Sequence, residues 1–254
     1  MTRVDTFDCA RYEWKNHAVA VLFSDLEKLR AAAASGKFDL VAEKLENAKD
    51  SHIADLNRVL FLDGTGNNSK DMDGLTKIIP TTPTTGTVGG VNRATWAFWR
   101  SKAASGVQTA SAFDNLRASM TSVYNQCSRG GTKDAPTSGI TSRTVFQGYE
   151  GLLVPYERFE KTGKSARGGN IAFSNDALQF KDADLFYDED CSPTDSLYFV
   201  NPKFLKLTYL KGGWMKMEKE VRPANQLGSV QLAHTHGNLG TNNSRRLGVV
   251  YSIT

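Results

Sequence analysis

The sequence predicts an α+β fold with one long helix packed against sheet, and three observations carry that reading. Apolar residues recur at three- and four-residue steps over about 39–62: Val41, Leu45, Ala48, Leu56, Val59 and Leu60. Glu43, Glu46, Lys49, Asp50 and Arg58 fall off that stripe. A second amphipathic stretch spans about 111–127. From Ile140 onward the pattern changes to short strand-like runs between turns, with no internal repeat and no heptad array. With 254 residues, 40% hydrophobic and 23% charged, the chain suits one large domain or two interleaved lobes and excludes wholesale disorder.

The first element is extended: residues 12–17, then the apolar run 18–23, which has strand length and falls far short of the roughly 18 residues of a membrane helix. No membrane partner is expected. Met1-Thr2-Arg3-Val4-Asp5 brings an acid early and lacks an apolar core, so a signal peptide is not expected either. A short helix over 25–34 stops at Ser35-Gly36. The long helix follows, with Asp39 as N-cap and Asp63-Gly64 as its stop. At 1.5 Å per residue it is about 36 Å long. That exceeds the average of three to four turns, so something sizeable must pack along it.

Residues 64–92 are rich in Gly, Thr, Asn and Pro but interspersed with Leu75, Ile78, Ile79, Val88 and Val91. They read as turns and extended excursions rather than as a linker. The second helix, about 111–127, puts Phe113, Leu116, Met120, Val123, Tyr124 and Cys127 on one face. Ser111 caps it and Arg129-Gly130-Gly131 ends it. Beyond it come a strand over 140–146, a short helix over 149–159 containing Pro155, and a polar loop over 161–170. Strand-like runs follow at 183–187, 196–200, 204–210, 230–233 and 248–253.

Lys+Arg 31 against Asp+Glu 27 leaves +4, without the dense basic stripe of a dedicated nucleic-acid binder. Three widely spaced cysteines, Cys9, Cys127 and Cys191, fit reduced thiols better than a disulfide framework. Lys161-Thr162-Gly163-Lys164-Ser165 ends like a phosphate-binding loop, but Arg158 stands where that motif needs glycine, which leaves a basic surface loop. His234 and His236 share a strand face, as metal ligands often do. With no third ligand at a diagnostic spacing they read as half-exposed strand histidines. Asp188-Glu189-Asp190-Cys191 lacks the alternating register and glycine of a calcium loop and reads as a solvated turn whose acids disfavour the Cys191 thiolate. No nucleophile elbow appears. No catalytic residue, cofactor or metal is assigned. A metal-dependent hydrolase built on His234, His236 and the 188–190 acids is a remote alternative.

Other features have a packing logic. Trp96, Phe98, Trp99 and Arg100 crowd five positions, and strand alternation puts Trp96 and Phe98 on one face and Trp99 on the other. Trp and Arg suit buried interface anchors, with an ordinary core cluster as the competing reading. Asn242, Asn243, Arg245 and Arg246 suit contact with a neighbouring chain or a phosphate, or else a polar turn.

Several segments in order resemble the major capsid proteins of tailed bacteriophages, which have the Hong Kong 97-type (HK97-like) fold. The long helix runs into Leu62-Asp63-Gly64-Thr65-Gly66-Asn67 and Gly74-Leu75. Thr84-Thr85-Gly86-Thr87-Val88-Gly89-Gly90-Val91-Asn92-Arg93-Ala94-Thr95 leads into Phe98-Trp99-Arg100. Residues 180–191 resemble the family's aromatic strand ending in Tyr-Asp-x-Asp-Cys, before Leu197-Tyr198-Phe199-Val200-Asn201-Pro202-Lys203. Arg222-Pro223-Ala224-Asn225-Gln226, Gly237-Asn238-Leu239 and Asn243-Ser244-Arg245-Arg246-Leu247-Gly248-Val249 complete the set, which spans 12–250.

The resemblance implies a division of labour. Residues 1–35 would hold an N-terminal segment and the returning arm of an extended loop, with Trp14-Lys15-Asn16 overlapping a neighbouring subunit. Residues 36–75 and 218–254 would form a peripheral (P) domain around a spine helix, and 76–217 an axial (A) domain. Family members carry an N-terminal arm and the outgoing half of that loop before this point, for which this chain has little room. The implied function is self-assembly into hexamers and pentamers of an icosahedral head around double-stranded DNA held by non-specific contact. Synthesis in the host cytoplasm and final location in the virion follow, with portal, scaffolding and decoration proteins as further partners. Trp14, Lys15, Trp96, Trp99, Arg100, Arg245 and Arg246 are the candidate subunit-interface residues, and 64–90 the expected hinge. An encapsulin-type compartment is the alternative within the same fold class.

Overall fold

The computed structural model describes residues 9–33, 40–107, 113, 115–128, 133–157 and 178–253, and within them two main sheets share one long helix. The helices are α1 (Asp25–Ala33), α2 (Leu40–Phe61), α3 (Leu75–Ile78), α4 (Leu116–Cys127) and α5 (Arg143–Glu157). The first strands are β1 (Lys15–Ser24), β2 (Thr87–Val88), β3 (Val91–Asn92), β4 (Lys102–Ser105), β5 (Ser138–Thr141) and β6 (Leu178–Phe180). Then come β7 (Ala183–Tyr187), β8 (Leu197–Val200), β9 (Leu205–Tyr209), β10 (Lys216–Met217), β11 (Gly228–Thr241) and β12 (Gly248–Tyr251).

Strand β1 turns directly into α1 through a reciprocal cap. The Leu26 amide donates to Ser24 Oγ and the Ser24 amide to Glu27 Oε2, so two amides left over at the helix start are satisfied. Helix α2 matches its predicted span within a residue at each end and is about 33 Å long. The expected caps Asp39 and Ser111, the stops at Ser35-Gly36 and Arg129-Gly130-Gly131, and the loop 161–170 lie outside the described residues.

Beneath α2 lies a four-stranded sheet. Strand β1 pairs antiparallel with β11 at every step from Lys15↔Gly237 to Ser24↔Gly228, while β10 and β9 pair with β11. Residues 12–23, expected as the returning arm of an extended loop, are hydrogen-bonded to strands and loops of their own chain. The Arg11 amide donates to Gly89 O, Asn238 Nδ2 to Glu13 O, and the Tyr12 hydroxyl to Thr241 O. Strand β11 runs 14 residues where a short strand at 230–233 is predicted. Its Gly, Thr, His and Asn content hides it, and pairing on both edges supplies what propensity lacks.

The second sheet has six strands in the order β4-β12-β8-β5-β7-β6, with β4/β12 and β5/β7 parallel. Strand β8 is buried at all four positions. Leu197 and Phe199 join the core under α4 and α5 with Met120, Val123 and Leu185, and Tyr198 and Val200 join Phe61, Ile78 and Leu239 on the opposite side. Two covered faces are what an apolar run without alternation implies. Tyr124 sets its ring edge-on to Phe180 and Phe199, each 6.0 Å away. The strand predicted over 140–146 ends at Thr141, because Ser142 Oγ accepts the Val145 amide and Val145, Phe146 and Tyr149 begin a helical stripe instead.

The sheets do not follow the divisions at 76 and 218. Strand β9 belongs with β11, and β12 crosses to the six-stranded sheet. Residues Val249 and Val250, both buried, need cover on both faces, which only the middle of the larger sheet provides.

The junction below α2 is a close approach of backbones. Thr76 Oγ1 donates to Phe61 O at 2.6 Å, satisfying a carbonyl at the helix end. A Cβ on Gly74 would sit 2.2 Å from Leu62 O and 2.6 Å from Leu60 O. Gly74→Ala is therefore expected to destabilise the fold by about 3 kcal/mol. The shift in denaturant midpoint against the parent chain checks it.

Candidate subunit interface

Two buried arginines with no carboxylate partner among the described residues organise the region that the aromatic segment belongs to. Arg93, 1% exposed, donates to the carbonyls of Lys77 and Ile78 at the C-terminal end of α3 and to Ser244 Oγ at 3.1 Å. Burial pushes its guanidinium down to about 10, so it stays charged at neutral pH. Arg246 donates to Cys127 O at 2.8 Å, at the end of α4. Each cation satisfies carbonyls left over at a helix C-terminus, in place of an acidic partner.

Two of the predicted interface residues are buried within the chain itself. Arg246 is a buried helix cap, and Trp99 is buried with its indole N–H donating to Val88 O at 3.0 Å. The segment is a 3₁₀ turn (Ala97–Trp99) rather than a strand, although the two faces come out as expected. Trp99 turns inward. Trp96 and Phe98 pair outward, 5.6 Å apart, with Phe98 half exposed. Arg100 locks the turn by donating from Nε to Arg93 O and from its terminal nitrogen to Ala94 O, each at 2.7 Å. Trp14 and Arg245 are exposed, and Lys15 Nζ donates to Ser69 O. The turn carrying Trp96, Trp99 and Arg100 lies against the 3₁₀ turn Ser244–Arg246 that carries Arg245 and Arg246, while Trp14 and Lys15 lie at the start of β1.

Sequence reasoning missed the more continuous apolar surface. On the outer side of the four-stranded sheet, Ala18, Ala20 and Leu22 of β1 stand opposite His234, Leu232 and Val230 of β11, with Val221 bridged to Val230. Leu22, Leu232 and Val221 are exposed. Beside them a groove of about 670 Å³ is lined by Met217, Val221, Val230 and Leu232 between Lys216, Glu218 and Lys219. The signal was present in the run 18–23, where an apolar residue at every position makes both strand faces apolar. Two further exposed aromatic pairs stand at Tyr209 with Trp214, 5.1 Å apart, and Tyr187 with the half-buried Phe146, 5.3 Å apart.

The remaining polar groups are spent on packing. Asn57 of α2 donates from Nδ2 to Asp188 and Asp190, so the 188–190 turn docks on the helix rather than standing free in solvent. His234 Nε2 lies 3.6 Å from Glu218 Oε1, and His236 pairs with Asn16. The acids and histidines of the hydrolase alternative therefore sit on different elements. Among the described residues no group of three or more His, Cys, Asp or Glu is placed to hold a metal ion. Burial pushes the Cys127 and Cys191 thiols up to about 12, with Asp188 adding to the effect at Cys191. Such thiols are poor nucleophiles at neutral pH. No described helix is long and apolar enough to cross a membrane.

No protein-family model and no curated protein matches the chain. Solved structures do. The cyanophage A-1(L) capsid superposes with a TM-score of 0.70 at 17% identity, covering 95% of this chain and 77% of that one. The fold is that of phage capsid proteins. The capsid fold also relates this chain to the procapsid of satellite phage P4 (TM-score 0.56, 12% identity, 100% and 76% covered). It extends to the holo-SrpI encapsulin complex of Synechococcus elongatus (TM-score 0.59, 9% identity, 95% and 74% covered).

Trp99→Ala is expected to lower folding stability by about 3–5 kcal/mol, as for a buried aromatic. Phe98→Ser stays within about 0.5 kcal/mol of the parent, as for an exposed position. Chemical denaturation of the three proteins separates the buried ring from the exposed one.

Proposed function

We propose that this chain is a structural subunit that assembles with copies of itself into a closed icosahedral shell, the major capsid protein of a tailed phage head around double-stranded DNA. The observation that carries the reading is the match to the cyanophage capsid over 95% of the chain, at a higher TM-score than the encapsulin complex reaches. The subunit works through area and geometry rather than turnover, and no enzymatic role is assigned to it.

In this reading α2 is the spine of the peripheral domain, with β1, β9, β10 and β11 as that domain's sheet. The six-stranded sheet with α4 and α5 is the axial domain, turned toward the five- and six-fold axes of pentamers and hexamers. This moves the division given by sequence, since 205–241 goes with α2 and 248–251 with the axial sheet. Each subunit has to cover well over the roughly 1,600 Å² of a standard interface, shared among several neighbours. The outer face around Leu22, Leu232 and Val221 and the aromatic pairs at Trp96 and Trp214 are the surfaces proposed for this, with Trp14 and Arg245 at their margins. Many modest contacts let misplaced subunits leave before closure, and repetition supplies the avidity. A net charge of +4 suits a wall that holds DNA loosely through non-specific contacts. Portal, scaffolding and decoration proteins are the further partners proposed, and the virion the final location.

The encapsulin complex favours one second reading, a protein-filled compartment on the same fold. Particles isolated from cells that make the protein naturally distinguish the two. Closed shells in electron micrographs with nuclease-protected double-stranded DNA are the expected result. Shells enclosing protein cargo would establish the compartment, and a lone monomer at high concentration under all assembly conditions would contradict both.

A further inference from the structure

All four histidines of this chain converge on one place, the Lys15–Gly237 end of the β1–β11 pair and the turn of α2 above it. They form two tilted ring pairs. His17 and His52 lie 4.8 Å apart between α2 and the sheet, and His234 and His236 lie 4.5 Å apart on the sheet's outer side. The side follows from register: His17 stands opposite Thr235, which touches His52, and His234 stands opposite the exposed Ala18.

The inner pair occupies a core position. His52 continues the buried stripe of α2 between Ala48 and Leu56 and is fully buried. Its Nε2 lies 2.7 Å from Thr235 Oγ1, a hydroxyl that also accepts the Met215 amide. His52 Nδ1 has no hydrogen-bond partner. His17 Nε2 lies 3.4 Å from Asp55 Oδ2, and Asp55 is already paired with Arg58 one turn along.

We propose that His17 and His52 form an acid-operated latch: neutral imidazoles close α2 onto the sheet, and positive charge on the pair opens that layer. A second proton on His52 creates a cation in a site closed to water. Thr235 serves one of its nitrogens, and the other has no acceptor. A charge on His52 also faces the tilted His17 ring 4.8 Å away, whose Nε2 lies toward Asp55. The charged surroundings are few. Asp55 favours the proton on His52, and His17 and His234 oppose it. Lys15 is held at Ser69 O, and beyond the sheet Lys216 and Glu218 pair with each other beside His234.

Burial, and then His17, hold the His52 imidazole below its ordinary value of 6.5. The unfolded chain therefore binds the proton more tightly than the folded one. The stability His52 confers is present above the ordinary imidazole range and is lost as pH falls through it toward the depressed folded value. The latch belongs to a single chain and does not depend on assembly.

Thermal melting of the full chain at about pH 7.5 and about pH 5.5 tests it, spanning the range in which imidazoles change charge. The parent is expected to lose melting temperature over that step. The loss should shrink by at least about half in H17Q/H52Q, whose amides cannot take up the proton, and persist in H234Q/H236Q. An equal loss in H17Q/H52Q, or its disappearance in H234Q/H236Q, would overturn the latch. If H17Q/H52Q does not fold, amide hydrogen exchange of the parent at the two pH values decides. Protection over residues 52–59 falling by about tenfold at the lower pH, beyond the change in intrinsic rate and beyond that of β8, supports the latch. Parallel behaviour of the two segments contradicts it.

Discussion

One helix serves two sheets. The first half of α2 lays Val41, Leu45 and Ala48 on Val21 and Phe23 of the four-stranded sheet. Its second half buries Leu56 and Val59 with Met72, and Phe61 enters the core shared with Leu75, Ile78, Tyr198 and Val249 of the larger sheet. Interiors pack as tightly as crystals, so a rigid rod gripped at both ends ties the two sheets to each other. The other contacts at the junction elaborate this one. Gly74 lets the returning chain press on the last carbonyls of the helix, Asn57 holds the 188–190 turn, and Arg93 closes the end of α3.

The polar groups buried along this frame are better understood as fasteners than as chemistry. Asn238 of β11 exchanges hydrogen bonds with Asp73, accepting the backbone amide and donating to the carboxylate, and also donates to Glu13 O. One side chain thus joins the sheet, the loop after α2 and the incoming chain. Arg93 and Arg246 cap helix ends that would otherwise leave carbonyls unsatisfied inside the protein. A subunit proposed to share load with its neighbours needs such an interior, with adaptable apolar surface kept outside. Leu22, Leu232 and the paired outer aromatics supply that surface.

Much of this was legible in the sequence where periodicity is unbroken. The spans of α2, β7 and β8 and the burial of Leu56 and Val59 follow from spacing alone. Reading failed where tertiary contact overrides local pattern. His52 fills a vacancy in an otherwise apolar stripe, and the gap between Ala48 and Leu56 was its only trace. Trp99 and Arg246 resembled interface anchors because residue type does not reveal which side of a turn faces the core. A tight 3₁₀ turn and a helix C-terminus took them inside. β11 stayed mostly hidden because its pairing on both edges, not its composition, makes it a strand.

Native-state hydrogen exchange on the full chain at neutral pH tests the coupling through α2 most directly. If the helix binds both sheets into one unit, the central amides of α2, β8 and the middle of β11 exchange in one slow class with a common opening free energy. Early release of β11 and the first half of α2, while β8 stays protected, would contradict it.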